Sequence, residues 1–247
     1  MANWLEGVVH KKIQWNYRLF SLQIDVEIAP CKPGQFIRVA LDINGERVAR
    51  PYSMVSLSTE PYVEIYFNIV PEGPLSPRLA ALEKGDQILV TASANGFLTI
   101  DEVPDCRHLW MLATGTGLGP FLAILKSPAS WQKFEKLVLG YSVRNASELS
   151  YQALITQLQQ QHPEQFVFVP FITREVVAGA IHKRIPAALE SGEFEARTGI
   201  SINTTDSHVM MCGNSAMISS VSGVLAGRGL RKHLRREPGH ITTEKYH

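Results

Sequence analysis

The chain has 247 residues, 45% hydrophobic and 19% charged, with a formal net charge of +1. That length suits two domains better than one core, and the near-neutral charge argues against a nucleic-acid protein, whose phosphate contacts need a strong basic excess. Cys31, Cys106 and Cys212 form no C-x-x-C pair, which argues against a disulfide framework and a cysteine-ligated iron–sulfur cluster.

In chain order, residues 18–26, 36–41, 62–70 and 87–92 alternate or are rich in β-branched and aromatic side chains. Turn residues such as Lys32-Pro33-Gly34, Asn44-Gly45 and Lys84-Gly85-Asp86 separate them. Short strands with turns between them predict a closed antiparallel barrel. One helix interrupts it, with Ser76 expected as N-cap and Pro77 as first residue. After about residue 100 the pattern changes. Apolar runs at 109–113, 137–141, 166–169 and 209–211 each precede a helical stretch, at 118–125, 149–160, 186–190 and 215–225. That alternation predicts an α/β, Rossmann-like domain with a parallel sheet. The expected division is residues 1–100 and 101–247. No run has the length of a signal peptide or a membrane span, so a cytoplasmic protein with no membrane attachment is expected.

Within the first half, Arg50-Pro51-Tyr52-Ser53 joins a forked phosphate donor, a stacking ring and a hydroxyl. Residues two apart on a strand share a face, so Arg50 and Tyr52 can address one ligand. Gly73-Pro74-Leu75-Ser76 sets a turn before a helix start, where backbone N–H groups favour anions. Together they describe an extended cofactor with a central diphosphate and a flat ring at one end.

In the second half, Thr114-Gly115-Thr116-Gly117-Leu118-Gly119-Pro120 follows a strand and opens a helix. Its glycines let backbone approach a pyrophosphate, although the spacing is that of neither a P-loop nor G-x-G-x-x-G. The next strand runs into Val143-Arg144 with no acid at its tip. Arg174, after Thr173, and Arg184 follow, and three arginines past strand ends suit a 2′-phosphate, so the reading is NADP over NAD. Cys212-Gly213-Asn214-Ser215 closes a further strand. The tail carries a basic run, Arg231-Lys232-His233-Leu234-Arg235-Arg236, able to steer an acidic partner or to lie as a solvated helix face.

These residues carry a resemblance. Arg50-Pro51-Tyr52-Ser53 resembles the R-x-Y-S flavin signature of the ferredoxin–NADP reductase superfamily, and Gly73-x-x-Ser76-x-x-Leu79 is similar to its pyrophosphate signature. The similarity extends through residues 109–115, the C-G-x segment and the tail, which looks like that of the bacterial ferredoxin/flavodoxin–NADP reductases. It implies a barrel domain that binds FAD and an α/β domain that binds NADP(H). For FAD the implied contacts are Arg50, Pro51, Tyr52, Ser53, Phe67 lining the flavin, Pro74, Leu75, Ser76, Thr116, Tyr246 and His247. For NADP they are Gly115, Thr116, Gly117, Val143, Arg144, Thr173, Arg174, Arg184, Cys212, Gly213, Asn214 and Ser215. Ser53, Cys212, Glu244 and Tyr246 would surround the hydride path to flavin N5. Single electrons would then go to ferredoxin or flavodoxin, acidic redox proteins, with the enzyme a monomer. His247 departs from relatives that end in a large aromatic on the FAD adenine. A free-flavin or oxygenase-component reductase and a non-catalytic flavin or NADPH sensor are the alternatives.

Overall fold

The computed structural model describes residues 3–246, so the expectation for His247 lies outside the described residues. Strands β1 (Trp4–Gln14), β2 (Leu19–Asp25), β3 (Phe36–Ile43), β4 (Glu46–Ser53), β5 (Val63–Asn68) and β6 (Gln87–Thr91) form an antiparallel sheet, ordered β4-β3-β6-β1-β2-β5. Its ends meet just past β4, where Met54 bridges Ile65 and the Val55 N–H donates to the Glu64 carbonyl at 2.8 Å. Leu22, Ile24, Ile37, Val39, Ile65 and Val90 fill the interior and have no exposed surface. β2 is buried on both faces: Phe20, Leu22 and Ile24 turn into the barrel, while Leu19 packs in the core cluster of the second sheet.

Helix α1 (Ser76–Ala81) begins one residue earlier than expected. Leu75, not Ser76, is at the N-cap and makes no side-chain cap; the Ser76 hydroxyl instead accepts the Val70 N–H at 2.9 Å. Ser76 thus closes the 70–76 turn, which is where its oxygen is needed.

The second sheet is parallel, with β7 (His108–Thr114), β8 (Lys136–Val143), β9 (Phe166–Ile172), β10 (Ser207–Asn214) and β11 (Ile241–Tyr246) in the order β11-β10-β7-β8-β9. Helices α2 (Leu118–Lys126), α3 (Pro128–Lys133), α4 (Gln152–Gln161), α5 (Ile185–Glu190), α6 (Glu193–Thr198) and α7 (Ser215–Gly227) connect the strands. Alternation along β7 divides the core: Leu109 and Met111 pack with Phe121 and Ile155, whereas Trp110 and Leu112 pack with Ile185, Phe194 and Val221. A sheet covered on both faces explains why its strands read as continuous apolar runs.

β1, α3, α6 and β11 go beyond the elements read from the sequence. The basic run is not a helix face. Leu234 bridges Glu237, Lys232 bridges Ile241, and this tight excursion feeds β11. α4 starts at Gln152 rather than 149 because Tyr151 sits at φ 57°, a left-handed backbone that a helix cannot include.

That unusual backbone places Tyr151, at the start of α4, in a buried polar network with β2 and β5 of the barrel. Its Oη donates to Glu64 Oε1 at 2.5 Å and lies 2.6 Å from Ser21 Oγ, which accepts from Trp15 Nε1 at 2.8 Å. Gln23 Nε2 donates to the other Glu64 oxygen at 2.9 Å. Burial and the Glu64 carboxylate push the Tyr151 phenol well above its usual range, so it stays a donor. Tyr151→Phe leaves a buried carboxylate one donor short. Urea unfolding should show a loss of about 1.5–3 kcal/mol, the range for a hydrogen bond to a charged group. A variant as stable as the parent would mean that water replaces the phenol.

Candidate functional site

The C-terminal ends of the parallel strands meet the barrel at one crevice, and backbone contact at the strand ends sets its floor. A Cβ on Gly117 would lie 2.3 Å from the Cys212 carbonyl oxygen, and one on Gly213 (φ +128°) 2.2 Å from Thr114 Oγ1. Only glycine permits that approach. The Asn214 N–H donates to Thr114 Oγ1 at 2.8 Å, and the Asn214 side chain accepts from the Ala216 and Met217 N–H groups at 2.9 and 3.2 Å. The turn of Gly115–Gly117 therefore faces the crevice as backbone able to receive an anion, while the Asn214 side chain already takes the first N–H groups of α7.

A cleft of about 690 Å³ extends from this floor. One wall carries Val143, Arg144, Thr173, Arg174 and Arg184. The loops bearing the first four run side by side: the Thr173 N–H donates to the Val143 carbonyl at 3.1 Å, and the Arg174 N–H to the Arg144 carbonyl at 2.9 Å. Glu148 Oε2 accepts the Arg144 N–H at 3.0 Å and steadies the loop. No ion pair engages Arg144, Arg174 or Arg184 among the described residues. Three guanidinium groups without an ion-pair partner among the described residues, gathered in one cleft, form a site for a multiply charged anion. The cleft is also lined by Asn16, Tyr17, Arg18 and Asn68, which sequence reasoning missed; a polar strand connection carries no signal of what it faces.

On the barrel side, β4 presents Arg50 and Pro51 exposed, Tyr52 half-buried and Ser53 buried. Among the described residues the Arg50 Nη1 donates only to the Ala49 carbonyl, at 2.7 Å. Burial, opposed by Arg50, pushes the Tyr52 phenol up to about 12. Its ring stands edge-on to Phe67 at 5.9 Å. Phe67 is 2% exposed and its ring belongs to the barrel core, so that ring supports Tyr52 rather than lining a ligand surface. Pro74 is exposed, whereas Leu75 and Ser76 are buried and offer mainly backbone N–H and the Ser76 hydroxyl proton.

Between the two sides, β11 delivers the remaining groups. It pairs in parallel with β10, Cys212 opposite Glu244 and Asn214 opposite Tyr246. The Ser53 Oγ donates to Glu244 Oε1 at 2.9 Å, and the Tyr246 Oη lies 3.1 Å from Ser53 Oγ and 3.3 Å from the Thr116 carbonyl. Burial raises Glu244 above the usual carboxyl range, against the Ser53 bond that lowers it. Burial and Glu244 push the Cys212 thiol far up, so it stays protonated and serves as a contact group, not a nucleophile. Burial, with Cys212 beside it, raises Tyr246 as well. Ser53, Cys212, Glu244 and Tyr246 come from three distant parts of the chain and converge here. A ring, a hydroxyl, a carboxyl and a thiol around one point can position a flat redox group and hold a proton at its edge.

Comparison with known proteins follows the same division. Residues 6–97 match the family model "Oxidoreductase FAD-binding domain", and residues 111–223 match "Oxidoreductase NAD-binding domain". The chain is 45% identical over its full length to the flavodoxin/ferredoxin–NADP reductase of Shigella flexneri and 44% identical to that of Escherichia coli, covering 100% of each. Among solved structures it is similar to a ferredoxin NADP+ reductase from Neisseria gonorrhoeae with bound FAD and NADP, at TM-score 0.94 and 30% identity, covering 99% of both chains.

Proposed function

Because the chain belongs to the flavodoxin/ferredoxin–NADP reductase family, we propose that it carries electrons between NADPH and ferredoxin or flavodoxin, with FAD as the relay. The observation that carries this reading is the meeting of Ser53, Glu244 and Tyr246 where the barrel, the glycine turn and the arginine-lined cleft join. When bound, FAD supplies a carrier that takes two electrons together and releases them singly.

The residues present fit such a group. Arg50, free of acidic partners among the described residues, would hold the FAD diphosphate with the backbone at Pro74, Leu75 and Ser76. Tyr52 offers a ring face, and Ser53 and Thr116 stand at the meeting point, each within hydrogen-bond reach of the Tyr246 Oη. Arg144, Arg174 and Arg184, with Val143 and Thr173, would take the NADP 2′-phosphate; Gly115, Thr116 and Gly117 would take its pyrophosphate. Cys212, Gly213, Asn214 and Ser215 would receive the nicotinamide end. Tyr246 occupies the place beside Ser53 that an incoming ring needs, so it must move aside. Glu244 and Ser53 hold a proton next to that place.

We put the division between the two units near residue 100, a reading supported by the long segment that joins β6 to β7. The basic run supports steering of an acidic protein, although Arg231 is paired with Glu237 at 3.0 Å and Arg235 with Glu102 at 3.2 Å. Cys31, Cys106 and Cys212 are free, and among the described residues no helix is long and apolar enough to cross a membrane; both support a cytoplasmic enzyme. We take it to act as a monomer.

The purified protein should be yellow and release FAD, not FMN, on denaturation. NADPH should drive reduction of ferredoxin or flavodoxin much faster than of free flavin, measured side by side. FMN as the sole flavin would overturn the diphosphate assignment; preference for free flavin would favour the flavin-reductase alternative.

A further inference from the structure

We propose that Tyr17 is an adenine-stacking residue of the cleft, an inference that rests on the dinucleotide reading above. Of the seven tyrosines, Tyr17 is the one with neither a ring neighbour nor a hydrogen bond among the described residues. The residue is 76% exposed, yet it lines the same cleft as Arg144, Arg174 and Arg184.

The turn that carries it is fixed rather than loose. Asn16 Oδ1 accepts the N–H groups of Arg18 and Leu19 at 2.8 and 2.9 Å. Asn16 Nδ2 crosses to the other unit and donates to the Ser147 carbonyl at 3.1 Å, three residues past Arg144. The Arg18 guanidinium reaches the Ile69 carbonyl at 3.4 Å. The backbone beneath the ring is already ordered, so covering it with a flat group costs only the ring's own rotamer freedom. Next to it in the chain stands Arg18, and the same cleft is lined by three more guanidinium-bearing residues, Arg144, Arg174 and Arg184. A ligand complementary to that pairing is anionic along its length and ends in a planar, weakly polar base, which describes the adenosine phosphate half of a dinucleotide. Stacking on a tyrosine face suits adenine and asks for no specific edge contact.

Adenine could come from FAD or from NADP(H), since both carry it, and two measurements separate them. FAD release from the loaded enzyme is followed by the rise of flavin fluorescence on dilution, and adenosine 2′,5′-bisphosphate binding to the loaded enzyme by calorimetry. Tyr17→Ser should weaken one of the two by about tenfold, the size of one base–aromatic stack, while Tyr17→Phe keeps parent values. A change in FAD release assigns the ring to the flavin nucleotide, and a change in bisphosphate affinity assigns it to the nicotinamide nucleotide. If both constants stay within about twofold of the parent in Tyr17→Ser, the ring stacks on nothing and the inference is wrong. Equal losses in the serine and phenylalanine variants would credit the hydroxyl and also overturn stacking. A parent that retains neither FAD nor the bisphosphate would remove the dinucleotide reading itself, and this inference with it.

Discussion

Replacing Arg144 and Arg174 together by alanine should lower NADPH kcat/KM by at least about a hundredfold and leave NADH turnover nearly unchanged. The two guanidinium groups stand on loops tied at backbone level by the Arg174 N–H to the Arg144 carbonyl. They face the same cleft and engage no carboxylate among the described residues. A 2′-phosphate brought between them would make charge-assisted bonds of about 1.5–3 kcal/mol each, present in the ground state and the transition state alike. NADH lacks that phosphate and has nothing to lose. The truncations remove no backbone hydrogen bond, because the loop is held by main-chain contacts and by Glu148. Steady-state kinetics with both nucleotides, at low and high salt, decides the matter. Equal losses with NADPH and NADH would show that the arginines support the fold instead.

The parts of this site that were legible from sequence are those where one short segment carries the whole chemical requirement. Arg50-Pro51-Tyr52-Ser53 is read from residue types at strand spacing, and the glycine turn from its place between an apolar strand and a helix. Two distant glycines proved to be one device: Gly117 and Gly213 allow the β7 and β10 ends to touch, a relation visible only in three dimensions. β11 was hidden for a different reason. Thr242, Thr243 and Glu244 are half-buried at a sheet edge, so the strand shows no apolar run although it positions Glu244 and Tyr246. The Glu64–Tyr151 bond spans 87 residues and uses a tyrosine in a left-handed backbone, which no local pattern announces. Ser76 shows the limit of local rules. Ser followed by Pro is a fair helix start, but the nearer Val70 N–H claims its oxygen.

His208 supplies the other large effect, on stability rather than on rate. It lies in β10, between β7 and β11, and is 1% exposed. Its Nε2 lies 2.8 Å from Thr242 Oγ1, and its ring meets His233 at 5.7 Å. Burial first, then the nearby His233, His240 and Lys133, lower its pKa to about 3 from the ordinary 6.5, against a contribution from the Gly239 backbone that raises it. The folded protein thus keeps His208 neutral, whereas the unfolded chain protonates it below about pH 6.5. The unfolded state then binds the extra proton, so the stability is whole above about 6.5 and is lost as pH falls towards 3. The slope approaches about 1.4 kcal/mol per pH unit, which makes the loss by pH 4.5 about 2–3 kcal/mol. Carboxylates titrate in the same range, so the parent must be compared with His208→Gln, which keeps a polar partner for Thr242 without titrating. Urea unfolding at pH 7.5 and 4.5 should show the parent's advantage shrinking by that amount. A parent–variant difference that stays constant across the two pH values would mean that His208 does not carry the acid sensitivity. Because Thr242 lies two residues before Glu244 on β11, acid loosening of this contact should reach the Ser53–Glu244 bond before the barrel yields.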